Sequence, residues 1–108
     1  MSGTTYSTGA LRQIVPLQTV PAQVLNTTLN GQYCQINVYQ RTTGLFVDVG
    51  LNGLLVVGGI LALDRNWIIR DFYRGFLGDI TFWDSQGTED PDWTGIGQRF
   101  FLGYWPPV

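Results

Sequence analysis

The chain has 108 residues, the length of one domain with a moderate core. It has no lysine, no histidine and one cysteine, with six arginines against eight acids for a net charge of −2. Those totals exclude a His general base, a Ser-His-Asp triad, a His-ligated metal, a lysine Schiff base, a P-loop and a thiolate zinc site within the chain. An acidic balance with no basic run also disfavours nucleic acid.

Charged residues make up 13% of the chain, about half the usual share, while aromatics reach 14%. Arginine without lysine, alongside many aromatics, suits a surface that meets other proteins. A small, weakly charged monomer is the alternative. Cys34 fits a reducing cytoplasm or simply a small buried hydrophobe.

Residues 1–11 are rich in Ser, Thr and Gly and read as a flexible tail that a neighbour can order. They contain no basic and apolar signal segment. Residues 12–108 read as a single β domain. Arg12–Gln18 is strand-like, and Pro16 assigns it to an edge or a bulge. Thr19–Ala22 bends at Pro21. From Gln23 to Leu63 the pattern predicts a four-stranded antiparallel meander. Asn30-Gly31 and Asn52-Gly53 are two-residue hairpin signals, and Arg41–Gly44 is a four-residue turn between them. The first turn predicts Leu29 opposite Gln32, Thr27 opposite Cys34 and Leu25 opposite Ile36. The middle turn sets Val38 beside Val47. The last predicts Leu51 opposite Leu54, Val49 opposite Val56, Leu45 opposite Ile60 and Phe46 opposite Gly59. All three put apolar residues on one inward face. The other face carries Tyr33, Gln35, Asn37, Tyr39, Phe46 and Asp48, and reads equally as a covered face or a solvated one. The run Leu54–Leu63 is broken by Gly58 and Gly59 and is too short for a membrane helix.

Asp64–Arg74 holds no strict period. Asn66–Arg70 reads as a short strand or the segment as one irregular helical turn. Trp67, Arg70, Phe72, Tyr73 and Arg74 are candidate partner contacts, because Arg beside large aromatics suits an interface; local pairing with Asp64 and Asp71 is the plainer reading. Phe76–Trp83 and Arg99–Trp105 alternate as two further strands with apolar residues on both faces, which predicts cover on both sides. Pro106-Pro107 ends the ladder. Trp93 and Trp105 join the contact candidates.

Between those strands the loop Asp84–Gln98 holds four of the eight acids: Asp84, Glu89, Asp90 and Asp92. Carboxylates clustered near a glycine are a candidate Ca²⁺ site, although the spacing does not match an EF-hand. Acids also gather in turns, where they bind backbone N–H groups, and that structural reading is favoured. Catalysis has no second reactive group to work with. No cofactor is expected.

A set of spaced residues resembles a known family. The pieces are Pro16-Leu17-Gln18, Val20-Pro21, Gln23, Asn30-Gly31-Gln32-Tyr33, Leu45-Phe46-Val47-Asp48-Val49 and Asn52-Gly53. They continue through Gly75-Phe76-Leu77-Gly78-Asp79-Ile80, Phe82, Asp84, Gln86-Gly87, Asp90-Pro91-Asp92, Thr94-Gly95, Gly97, Arg99-Phe100, Leu102 and Tyr104. Together they resemble the baseplate plug family of contractile-tailed phages, including cyanophages. The resemblance implies a small β-rich virion protein at the tail tip, near the tube–hub–spike axis. It implies contacts with other baseplate proteins (hub, spike, tube or sheath-proximal subunits), no enzymatic activity and no cofactor. A homo-oligomer, such as a trimer about the axis, follows from the symmetry usual for hubs and spikes.

The expected fold is all-β: a barrel or sandwich of seven or eight antiparallel strands. The expected function is a structural baseplate component made in host cytoplasm, with no nucleic acid and no membrane as partner. The alternative is a small ligand- or carbohydrate-binding β domain with a Ca²⁺-bound acidic loop.

Overall fold

Two Asn-Gly turns organise the larger sheet. A computed structural model describes residues 13–70 and 75–106. The expected tail at 1–11 and the candidates Phe72, Tyr73 and Arg74 lie outside the described residues. Asn30 and Gly31 take φ of 52° and 78°, and Asn52 and Gly53 take 52° and 85°. These left-handed pairs match the twist of the flanking strands. The result is a meander of β2 (Ala22–Leu29), β3 (Gln32–Arg41), β4 (Gly44–Leu51) and β5 (Leu54–Leu61), in that order.

The first two registers are as the turns predict. Leu29 lies opposite Gln32, Thr27 opposite Cys34, Leu25 opposite Ile36 and Val38 opposite Val47. The third departs from prediction. Leu51 meets Leu54, but Val49 meets Val57, Val47 meets Ile60 and Phe46 meets Leu61. Two irregularities each add a residue to β5. Val56 and Val57 are both buried as a result. Gly58 and Gly59 together oppose Asp48, with Gly59 at φ 66°. Gly59 is therefore a bulge residue, not the strand glycine under Phe46.

The second sheet has the order β1-β7-β6, all antiparallel: β1 (Gln13–Ile14), β6 (Asp79–Asp84) and β7 (Phe100–Trp105). Pro16 follows Val15, whose N–H still donates to Leu102 O (2.8 Å), so the pairing of the edge strand β1 ends there. β6 starts at Asp79 rather than Phe76, because Gly75 and Gly78 take φ of 84° and 93°. Phe76 is buried outside the strand, edge-on to Tyr104 with ring centroids 6.0 Å apart. The segment 64–70 is neither strand nor helix. It lies along β6 instead: Arg65 N donates to Phe82 O (2.8 Å), Ile68 N to Ile80 O (3.0 Å), and the Thr81 hydroxyl to Asn66 O (2.7 Å).

The sheets share one core. Leu29, Ile36, Val38 and Val47 from the meander join Ile80, Phe82, Phe100, Leu102 and Tyr104 from the smaller sheet, all at most 2% exposed. Cys34 is buried within it, its thiol donating to Gln32 O, and burial pushes that thiol's pKa up. The sheets form a sandwich and do not close into a barrel. Among the described residues no helix is long and apolar enough to cross a membrane.

Candidate functional site

The hairpin of β6 and β7 pairs without a break from Asp79–Trp105 to Asp84–Phe100. It therefore brings Asp84 and Arg99 together at the root of the long loop. Arg99 Nε and one Nη donate to the two Asp84 carboxylate oxygens, both at 2.8 Å. Gln86 N and Glu89 N donate to the same carboxylate, also at 2.8 Å. Hydrogen bonds from the guanidinium, then from Glu89 and Gln86, hold the Asp84 carboxyl far below the usual carboxylate range against the opposing pull of burial. The partner effect raises Arg99.

Two of the loop's other acids, Asp90 and Asp92, are also tied to backbone. Asp90 Oδ1 accepts from Asp64 N (2.9 Å), while Asp64 Oδ1 accepts from Asp84 N (2.8 Å). Asp92 caps the 3-10 turn Trp93–Gly95 by accepting from Thr94 N (2.9 Å) and from the Thr94 hydroxyl. Glu89 is exposed, 3.8 Å from Arg99. Among the described residues no three His, Cys, Asp or Glu side chains converge as metal ligands. Asp84, Glu89, Asp90 and Asp92 are brought to one loop but spread along it, and the three aspartates each accept from a donor of this chain. The arrangement sets loop shape. Trp93 is half-buried against the core, and its backbone N–H donates to Gln40 Oε1 at 3.1 Å.

The larger constellation is aromatic. On the outer face of the smaller sheet, Trp83 and Phe101 are cross-strand partners with centroids 5.7 Å apart. Trp83 meets Trp105 edge-on at 5.7 Å, and Trp105 meets Trp67 edge-on at 5.6 Å. All four are half-buried. They make a continuous, partly exposed ridge, and large amphipathic rings in such a position favour protein contact. Two of the sequence candidates, Trp67 and Trp105, sit in this ridge; Trp93 does not. Arg70 flanks it, its Nε donating to Trp67 O at 2.6 Å.

Asp79 was not singled out by sequence reasoning, yet it holds this flank in place. Its carboxylate is fully buried and accepts from Ile69 N (2.8 Å), Ile80 N (2.7 Å) and Arg70 N (2.7 Å). Burial pushes its carboxyl up, and the N–H groups of Arg70, Ile69 and Ile80 pull it partway back. Arg70 takes φ 60° as the chain turns there. Its signal in the sequence was an acid inside the apolar run Phe76–Trp83.

On the outer face of the meander, Asp48 accepts from Gly59 N (2.6 Å), the Tyr39 hydroxyl (3.0 Å) and Asn37 Nδ2 (3.1 Å). A cup of about 340 Å³ lies beside it, rimmed by Tyr33, Leu54 and Leu55. Those three are 55%, 75% and 71% exposed, so this face lies open in the isolated chain.

A family model described as cyanophage baseplate Pam3 plug gp18 matches residues 12–107. No curated protein matches the chain.

Proposed function

The chain belongs to the cyanophage baseplate plug family, and from that premise we propose that it is a non-catalytic structural part of a contractile tail baseplate. In this reading it seats at the hub and tube axis, in several symmetric copies such as three, after synthesis in the host cytoplasm. It works by contact with neighbouring baseplate proteins. The family match over residues 12–107 carries the reading. Two surfaces support it. The ridge of Trp67, Trp83, Phe101 and Trp105 has the residue types that dominate interface energies. The exposed Tyr33, Leu54 and Leu55 give the opposite sheet an apolar patch. The partner contacts are assigned to Trp67, Arg70 and Trp105, with Trp93 as a loop support.

The test is the virion. Tails purified from the phage that encodes the chain should contain it, and reconstruction of the baseplate should bury the Trp67–Trp105 ridge only through neighbours. Tails complete without the chain would overturn the reading.

A further inference from the structure

The two sheets have four edges, and three are protected. β5 is broken by two register shifts and by Gly58-Gly59. β6 is covered by residues 64–70 through the backbone bonds of Arg65 and Ile68. β1 spans two described residues and is followed within two positions by Pro16. β2 differs. It runs for eight residues in unbroken register with β3 and contains no proline, glycine or charge. The whole stretch between Arg12 and Arg41 is uncharged. Proteins normally blunt such an edge, because its free backbone groups template another strand.

The tight turn at Asn30-Gly31 determines which groups are free. Leu29 and Gln32 close the hairpin as a hydrogen-bonded pair, so Leu29, Thr27, Leu25 and Gln23 point their backbone groups at β3. Thr28, Asn26, Val24 and Ala22 point theirs outward. Thr28 O accepts from Gln13 Nε2 at 3.2 Å. No described residue outside the ladder reaches the backbone of Asn26 or Val24. Val24 is also 61% exposed.

We propose that residues 1–12 of a neighbouring copy add to this edge as a fifth strand of the meander sheet. The segment MSGTTYSTGALR has no proline and no side-chain charge before Arg12, and it carries the strand-formers Thr4, Thr5, Tyr6 and Thr8. Extended, twelve residues reach about 40 Å, against about 27 Å for the eight of β2. The direction of the chain favours a neighbour over the same copy. Gln13 rests on Thr28, while Gln18 exchanges two bonds with the Gln23 carboxamide (2.9 and 2.7 Å). Residues 13–18 therefore run past β2 from its turn end to its start, and the chain enters β1 beside the Asn30-Gly31 turn. The same copy's own residues 1–12 would have to reverse at Arg12 and return outside residues 13–18. A donated arm meets no such reversal. It is also a head-to-tail contact, which closes into a ring under cyclic symmetry. The inference rests on the assembly reading above.

The test uses the full chain carrying Cys34→Ala. Thr5→Cys and Asn26→Cys are made in separate chains of different tag length, mixed at about 100 µM and oxidised. The mixed T5C–N26C dimer should exceed either same-site dimer by at least about fivefold. Val24→Lys should cut that yield about tenfold while moving the melting temperature by no more than about 2 °C. A dominant N26C–N26C dimer would mean β2-to-β2 pairing and overturns the donated arm. Equal yields at all pairs, no dimer at all, or an internal crosslink in a chain carrying both cysteines also overturn it. The same variants carried into virions separate the two ideas. Chains present in the baseplate without the mixed crosslink would sink the arm and leave the assembly reading standing.

Discussion

At Gly78 the backbone holds φ 93°, and a Cβ there would lie 2.7 Å from the Tyr104 hydroxyl oxygen and against the Trp105 carbonyl. That hydroxyl donates to Leu77 O, so it has no room to retreat. Gly78→Ala should cost roughly 3 kcal/mol or more, from left-handed strain plus overpacking; a urea midpoint unchanged from the parent would refute the geometry. The pair Asp84–Arg99 sets a second residue-scale prediction. Asp84's folded pKa is depressed, chiefly by Arg99. Its stabilising effect is therefore complete above the unfolded carboxylate value of about 4 and drains away as pH falls through that value toward the lower folded one. Arg99→Met removes the cause. The difference in urea midpoint between pH 6 and pH 3 should then shrink by about half or more relative to the parent. An unchanged difference would mean that the backbone donors, not Arg99, hold the carboxylate down.

At the scale of elements, the bulge in β5 depends on one carboxylate. Asp48 bonds Gly59 N, Tyr39 and Asn37, so it ties the bulged edge to β3 and β4. Asp48→Ala should cost about 1–2 kcal/mol and speed hydrogen exchange at the Gly59 amide, while amides on the β2–β3 ladder keep their protection. The same bulge marks where sequence legibility ended. Asn30-Gly31 and Asn52-Gly53 carry a backbone requirement that few other residue pairs meet, so the meander was readable from local chemistry, and its first two registers followed from Asn30-Gly31 and the Arg41–Gly44 turn. Gly58-Gly59 is compatible with either a strand under an aromatic or a bulge, and only Asp48, ten or so residues away, decides between them. Segment 64–70 was opaque for a related reason. Side-chain and backbone bonds to Asp79, Thr81 and Phe82 hold it, and none of these leaves a period in the sequence. The acidic loop was half legible. Asp84 and Asp92 bind N–H groups within the loop, as turn acids do, but the Asp84–Arg99 pair exists only because the β6–β7 register closes on it.

For the whole molecule, folding and assembly place different demands on the aromatic residues. Trp93 is partly buried against the core, so its loss should first be felt in folding. Trp67 sits on an irregular segment, half-buried and edge-on to Trp105. Removing its ring should cost the isolated chain about 1–2 kcal/mol, the scale of partial burial with edge-on ring packing. A ring buried by a neighbour at the centre of an interface is worth 2 kcal/mol or more again, which is about thirtyfold in occupancy at limiting subunit. Trp67→Ala should therefore fold with a modestly lower melting temperature yet be depleted about tenfold or more from purified tails. Trp93→Ala should lose folding stability first, and its depletion from tails should follow that loss. If Trp67→Ala enters tails at parental levels, the ridge is a solvated cluster and the contacts lie on the Tyr33–Leu55 face. If both variants lose folding and occupancy in step, the two surfaces cannot be separated and Trp67 is part of the scaffold.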